Sequence, residues 1–344
     1  MKFKKLVSLS LTMVISASLL VGCGSNGDAG SDDAVKIGMI TDVGGVHDES
    51  FNQSSWEGLK SVQKELGEDK LDVQVLESRQ DSDYAVNIEQ FMDQEMDLII
   101  GVGYKLEKDI EKASKTYPDQ KFAIIDAAYE KQPENVTSLL FEDNVSAYLT
   151  GLVAGRMTKT NKVGFIGGMK GVTISKFENG FKAGAKDANA DVEVSVQYAN
   201  SFSDQALGKS IANQMIKNDV DVVFSAAGAV GIGAIEAVKE NDKMAIGVDR
   251  DQNSLAPDHV ITSAMKNIDI AVGNLARSFI DGSYESGKVI IGTLATGGVG
   301  IAPTSEKNVP KEVLEFVDSK SKEIIDGKIK VPGNDEEYKE LYNK

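Results

Sequence analysis

The chain has 344 residues, 41% of them hydrophobic, which suffices for two domains of the usual ~100–200 residues and excludes a disordered or disulfide-stapled protein. Its 37 Lys plus Arg against 53 Asp plus Glu give a formal charge of −16, so nucleic acid and anionic membrane surfaces are poor partners. A single cysteine, Cys23, and two histidines, His47 and His259, exclude internal disulfides, cysteine-rich zinc sites and Cys–His nucleophile pairs.

The N-terminus reads as an address. Residues 1–5 are a short basic stretch, and residues 6–22 are apolar but interrupted by Ser8, Ser10, Thr12, Ser16 and Ser18. That length is at the lower end of the ~17–25 residues of a spanning helix, and the interruptions favour a cleaved signal. The ending Leu20-Val21-Gly22-Cys23 resembles a bacterial lipobox. The resemblance implies a lipoprotein signal peptide over 1–22, acylation of Cys23 and an extracytoplasmic protein held to the membrane by its N-terminal lipid. Residues 23–34 are small, polar and acidic, as in a flexible tether.

From Val35 onward, short β-branched runs alternate with Gly/Asp turns and helical stretches, the pattern of parallel strands joined by crossover helices. Strands are expected at 36–40, 71–77, 97–102 and 121–126, with helices at 54–67, 84–94 and 106–117 between them. A second series follows: strands at 162–168, 191–199, 221–227 and 243–249, helices at 178–189, 205–218 and 231–241, then a strand-like run at 260–266. The two series superpose. Lys36-Ile37-Gly38 falls opposite Lys162-Val163-Gly164, Phe51 opposite Phe177, Asp97 opposite Asp221 and Ile125-Asp126 opposite Val248-Asp249. Two similar α/β lobes imply a cleft between them.

In open parallel sheets, ligands gather at the carboxyl ends of the strands, where helix N-termini and polar loops converge. Asp42, Asp126, Gly228, Asp249 and Lys266 occupy such ends, and Phe51 and Phe177 lie in or near the first helix of each series. Carboxylates, one cation and two aromatic faces suit an uncharged ligand with a flat ring and several hydroxyls. Each residue alone also fits a bland role, an Asp as turn former or helix cap and a Phe as core.

The run KIGMITDVGGVHDESFNQSSWEGLK resembles the opening of the basic membrane protein family of bacterial lipoproteins, which includes the purine nucleoside receptor A type. FAIIDAAY, KVGFIGGMKGVTISKFENGFKAG, YANSFSD, SAAGAVGIGAIEA, IGVDRDQ, VITSAMKN and TGGVGIAP continue it over residues 35–335. The resemblance implies a type I periplasmic-binding-protein fold of two Rossmann-like lobes with a hinge of three crossing segments. Residues 35–142 plus 265–298 would form lobe one, and 143–264 plus 299–344 lobe two. It further implies a receptor that captures nucleosides, foremost purine ones, for an ABC permease; a monomer is the expectation for a cleft that must open and close freely, and no cofactor or metal is expected. Asp42 and Asp126 would meet the base with Asn52 nearby, Phe51 would stack on it, and either Phe177 or Phe202 would supply the second face. Asp249 and Lys266 would hold the ribose and Gly228 would approach through its backbone. His47 and Arg250 depart from the family pattern.

Sharper motifs fail on inspection. Gly208-Lys209-Ser210 ends like a phosphate loop, but Ser203 stands where its first glycine belongs. Asp249–Asn253 begins like a calcium loop, but Ser254 and Val260 replace its glycine and glutamate. The glycines 228, 231 and 233 run GxxGxG rather than the GxGxxG of dinucleotide folds. A pentose receptor on the same fold, or an extracellular nucleoside-cleaving enzyme, remain as alternatives; the first needs less aromatic area, the second an acidic metal cluster or several phosphate-binding cations.

Overall fold

The computed structural model describes residues 34–342, so the expectations for Cys23 and the signal peptide fall outside the described residues. Lobe one is a parallel sheet of β1 (Val35–Ile40), β2 (Leu71–Leu76), β3 (Leu98–Val102), β4 (Lys121–Ile125), β5 (Val136–Phe141) and, from late in the chain, β11 (Val289–Gly292). Lobe two holds β6 (Lys162–Gly167), β7 (Glu193–Tyr198), β8 (Val222–Ala226), β9 (Met244–Asp249), β10 (Val260–Lys266) and the short antiparallel β12 (Val299–Ile301). The orders are β11-β5-β4-β3-β1-β2 and β12-β10-β9-β8-β6-β7, so the internal repeat in the sequence is one strand order used twice. The matched pair Asp97 and Asp221 play one part in both: the N–H of each donates to a carbonyl near the start of the neighbouring strand, that of Lys36 or Lys162.

Helices cover both faces of these sheets: α1 (Phe51–Leu66), α2 (Asp83–Asp93), α3 (Glu107–Thr116) and α8 (Ile268–Asp281) in lobe one, and α4 (Asp143–Met157), α5 (Val172–Ala188), α6 (Gln205–Lys217) and α7 (Ala229–Glu240) in lobe two. The central strands β3 and β8 are buried throughout, as strands covered on both faces must be, which is why they read as unbroken apolar runs. Helices α9 (Ser305–Asn308), α10 (Lys311–Ile325) and α11 (Asp335–Tyr342) complete the chain.

Most elements lie within about three residues of expectation, with these larger differences. β5 and α4 were not anticipated. α4 buries twelve of its fifteen residues, so it has no polar stripe to reveal a helical period. It lies against α5 at glycine distance: a Cβ on Gly184 would sit 2.0 Å from the Tyr148 carbonyl oxygen. α5 begins at Val172, six residues before its expected start, because Thr173, Ser175 and Lys176 mask the apolar spacing. Phe177 is therefore in the second turn of that helix.

The chain crosses between lobes at Glu142, at Asn267 and through residues 293–298. Met265 and Lys266 pair in the second sheet, two residues past the expected boundary at 264.

Candidate functional site

The carboxyl ends of both sheets face one another. In lobe one, β1 runs into Asp42, whose Oδ1 accepts from the Gly44 N–H and from Asn52 Nδ2, both at 2.8 Å. Asp48 caps α1, accepting from the N–H groups of Ser50, Asn52 and Gln53 at 2.9–3.1 Å. Asn52 joins the two acids, since its Nδ2 also donates to Asp48 at 2.9 Å. Burial pushes the Asp42 carboxyl up to about 6, helped by the Asp48 charge and opposed by the hydrogen bonds from Gly44 and Asn52.

Asp126, just after β4, and Asp249, the last residue of β9, both lie in the left-handed region, at φ 65° and 64°, so the superposed aspartates are equivalent positions in two lobes. That conformation suits Asp better than most residues, and it turns both carboxylates back into the cleft. Asp126 receives Lys266 Nζ on both oxygens at 2.6 Å. Asp249 accepts from the Ser50 hydroxyl of the opposite lobe. Burial raises Asp249 to about 7 against the opposing charge of Lys266.

Lys266 is 1% exposed and meets a second carboxylate, Asp143 at the start of α4, at 3.0 Å. Burial alone would lower its ammonium, but Asp126, Asp143 and Asp249 together hold it above the ordinary lysine value. Its Nζ also lies 5.1 Å from the ring centres of Phe51 and Phe141 and 5.9 Å from that of Phe177.

The Phe177 ring is fixed edge-on against Phe224, with centroids 6.2 Å apart. Phe202 backs onto Gly168, and its carbonyl accepts the Ala229 N–H at 2.9 Å. Gly228 has φ 57°, and a Cβ there would meet the Phe202 carbonyl oxygen at 2.9 Å; both facts call for glycine.

All nine residues singled out from the sequence line a single cavity between the lobes: Asp42, Phe51, Asn52, Asp126, Phe177, Phe202, Gly228, Asp249 and Lys266. Asp126 is grouped with Lys266 rather than with Asp42, which the spacing could not reveal. Asp48, Tyr104 and Thr173 line it too and were missed. An acid three residues before the helix at Phe51 was a readable cap signal for Asp48; nothing in the sequence marked Tyr104.

The empty space reaches about 530 Å³ counted to the mouth, yet a water centre can move in only about 50 Å³ of it. The cavity is therefore narrow, most of its space lying within a water radius of a wall. Among the described residues, no group of three or more His, Cys, Asp and Glu side chains is arranged to hold a metal ion.

The profile of the Bmp family, described as ABC transporter substrate-binding protein PnrA-like, matches residues 34–335. The chain belongs to this family. A CD4+ T-cell-stimulating antigen of Listeria innocua is 41% identical, with 96% of this chain and 99% of the relative covered. An ABC transporter nucleoside-binding protein BmpA of Lactococcus lactis is 38% identical over 96% and 99%. Among solved structures, an ABC transporter solute-binding protein of Aeropyrum pernix superposes with a TM-score of 0.82 at 27% identity, covering 90% of this chain and 96% of that one. The Bmp protein is thus a substrate-binding component of an ABC transporter with the type I periplasmic-binding-protein fold, and not an enzyme. No helix among its described residues is long and apolar enough to cross a membrane.

Proposed function

We propose that this Bmp-family protein captures nucleosides, purine nucleosides foremost, in the interlobe slot and presents them to an ABC permease. The observation that carries the reading is the wall of the cavity: aromatic rings together with hydrogen-bonding acids from both lobes. A flat base fills such a cavity with Phe51 on one side and Phe177 or Phe202 on the other, while Asp42 and Asn52 serve its polar edge. Asp249, Lys266 and Asp126 then form the pole that takes ribose hydroxyls, which moves Asp126 from the base to the sugar. A pentose would leave the aromatic walls uncovered, and the nucleoside-binding relative of Lactococcus lactis agrees with a nucleoside.

Four carboxylates against one ammonium at the cavity wall disfavour phosphorylated ligands, so nucleosides rather than nucleotides are the substrate class. Ligand contacts both lobes and is bound in the closed form, and closure is what the permease reads. Anchoring through acylated Cys23 would place the receptor at the extracytoplasmic face of the membrane, acting as a monomer that opens and closes freely.

Isothermal titration of residues 24–344, unfolded and refolded to remove carried-over ligand, tests this. Micromolar or tighter binding of guanosine, inosine or adenosine, with no binding of ribose, is expected. Binding of ribose in preference to every nucleoside would replace the reading with a pentose receptor.

A further inference from the structure

Arg250 is not among the residues that line the ligand cavity. It follows Asp249 directly, but its side chain leaves the cleft and crosses to the other lobe. Its Nη2 lies 3.2 Å from Glu57 Oε2 and its Nη1 3.3 Å from Glu57 Oε1, a two-toothed match of guanidinium to carboxylate. Nη1 also lies 3.5 Å from Glu49 Oε2. Glu57 is in the second turn of α1 and Glu49 in the turn before it, both about 200 residues from Arg250 and on the opposite lobe.

Beside this group Gln252 donates through Nε2 to the Glu49 carbonyl at 2.7 Å. Gln252 is itself fixed within lobe two: its Oε1 accepts from Val248 N–H at 2.9 Å and its N–H donates to Ser263 Oγ at 3.1 Å. The crossing contacts therefore join two rigid frames, and opening the lobes would have to break them together.

We infer that Arg250, with Glu49 and Glu57, is a clasp at the rim of the cleft that sets the strength of closure for every ligand alike. The clasp touches no ligand. It stabilises only the closed state, so it multiplies apparent affinity by one factor whatever fills the slot. Its side chains are 28%, 40% and 49% exposed, so salt screens it, unlike the buried Lys266 cluster. The inference rests on nucleoside binding only for its probes.

Wild type, Arg250→Gln, Glu57→Gln and the double variant are titrated with guanosine, inosine and adenosine at low and high sodium chloride. Arg250→Gln is expected to raise all three Kd values by one common factor of about 3–10, mainly through faster release. Wild type should lose a similar factor on addition of salt, Arg250→Gln should lose little, and the double variant should be no weaker than the worse single one. Unequal factors for the three nucleosides, or an unchanged Kd, would overturn the clasp. If wild type binds none of the three, the nucleoside reading fails separately. Spin-label distances between the lobes then decide the clasp: a closed population that shrinks with salt in wild type and not in Arg250→Gln supports it, and one that does not respond overturns it.

Discussion

Lys266→Met is the sharpest perturbation of this fold, because it removes the fully buried cation from a group of carboxylates, leaving only the half-buried Lys176 at 3.9 Å from Asp143 among the described residues. Nζ lies 2.6 Å from Asp126 and 3.0 Å from Asp143, with both Lys266 and Asp143 1% exposed. At an effective dielectric of about 20 the two attractions are about 6 kcal/mol each before desolvation is counted. Desolvating the ions offsets several kcal/mol apiece, so removing one partner leaves a net loss of about 3–5 kcal/mol. That is a large share of the ~5–15 kcal/mol that stabilises an ordinary domain. The loss has a pH signature. Burial already holds Asp143 at about 6 and Asp249 at about 7, above the unfolded value of 3.8, and Lys266 opposes both shifts. Without it, both carboxyls rise further and the fold takes up protons that the unfolded chain releases. Raised acids favour the fold at low pH and disfavour it as pH climbs through their folded values, so the deficit should be small near pH 4 and larger at pH 8. Urea unfolding of both proteins at pH 4, 6 and 8 measures this. A deficit below ~1 kcal/mol at pH 8, or one of equal size at all three pH values, would refute the electrostatic account.

Phe51→Ala should weaken nucleoside binding by about 1–3 kcal/mol through loss of a stacking face, with little change in unfolding midpoint; titration calorimetry and a urea melt separate the two. Binding should also depend on pH through Asp42, whose carboxyl is pushed up to about 6 by burial. The base N–H groups need its ionised form, so affinity should be level above pH 6 and fall below it, approaching tenfold per pH unit; a constant Kd between pH 5 and 7.5 would place Asp42 outside the contact. Guanosine 5′-monophosphate should bind at least 100-fold more weakly than guanosine, and equal affinities would contradict the charge argument. Gly184→Ala drives a Cβ to 2.0 Å from the Tyr148 carbonyl oxygen, so α4 and α5 must separate. A cost of about 1–3 kcal/mol in thermal or urea unfolding is expected from overpacking.

The repeated strand-helix rhythm, the matched aspartates and the family motifs were all legible in the linear chain. Each depends on local spacing: β-branched runs of five or six residues, turn residues between them, and acids where strands end. Fully buried β3 and β8 were readable because a strand covered on both faces is apolar throughout. The same all-round burial hid α4, where a helix without a polar face loses its period.

Which side chains work together became visible only in the folded molecule. Local patterns and family motifs pointed to two α/β lobes, a cleft, and nine of the residues that line it. They could not pair Asp126 with Lys266 across 140 positions, place Asp143 beside that pair, or bring Arg250 to Glu57. Spacing along a chain fixes the direction and position of groups within one strand or helix, whereas these contacts arise from the angle at which two separately folded lobes meet.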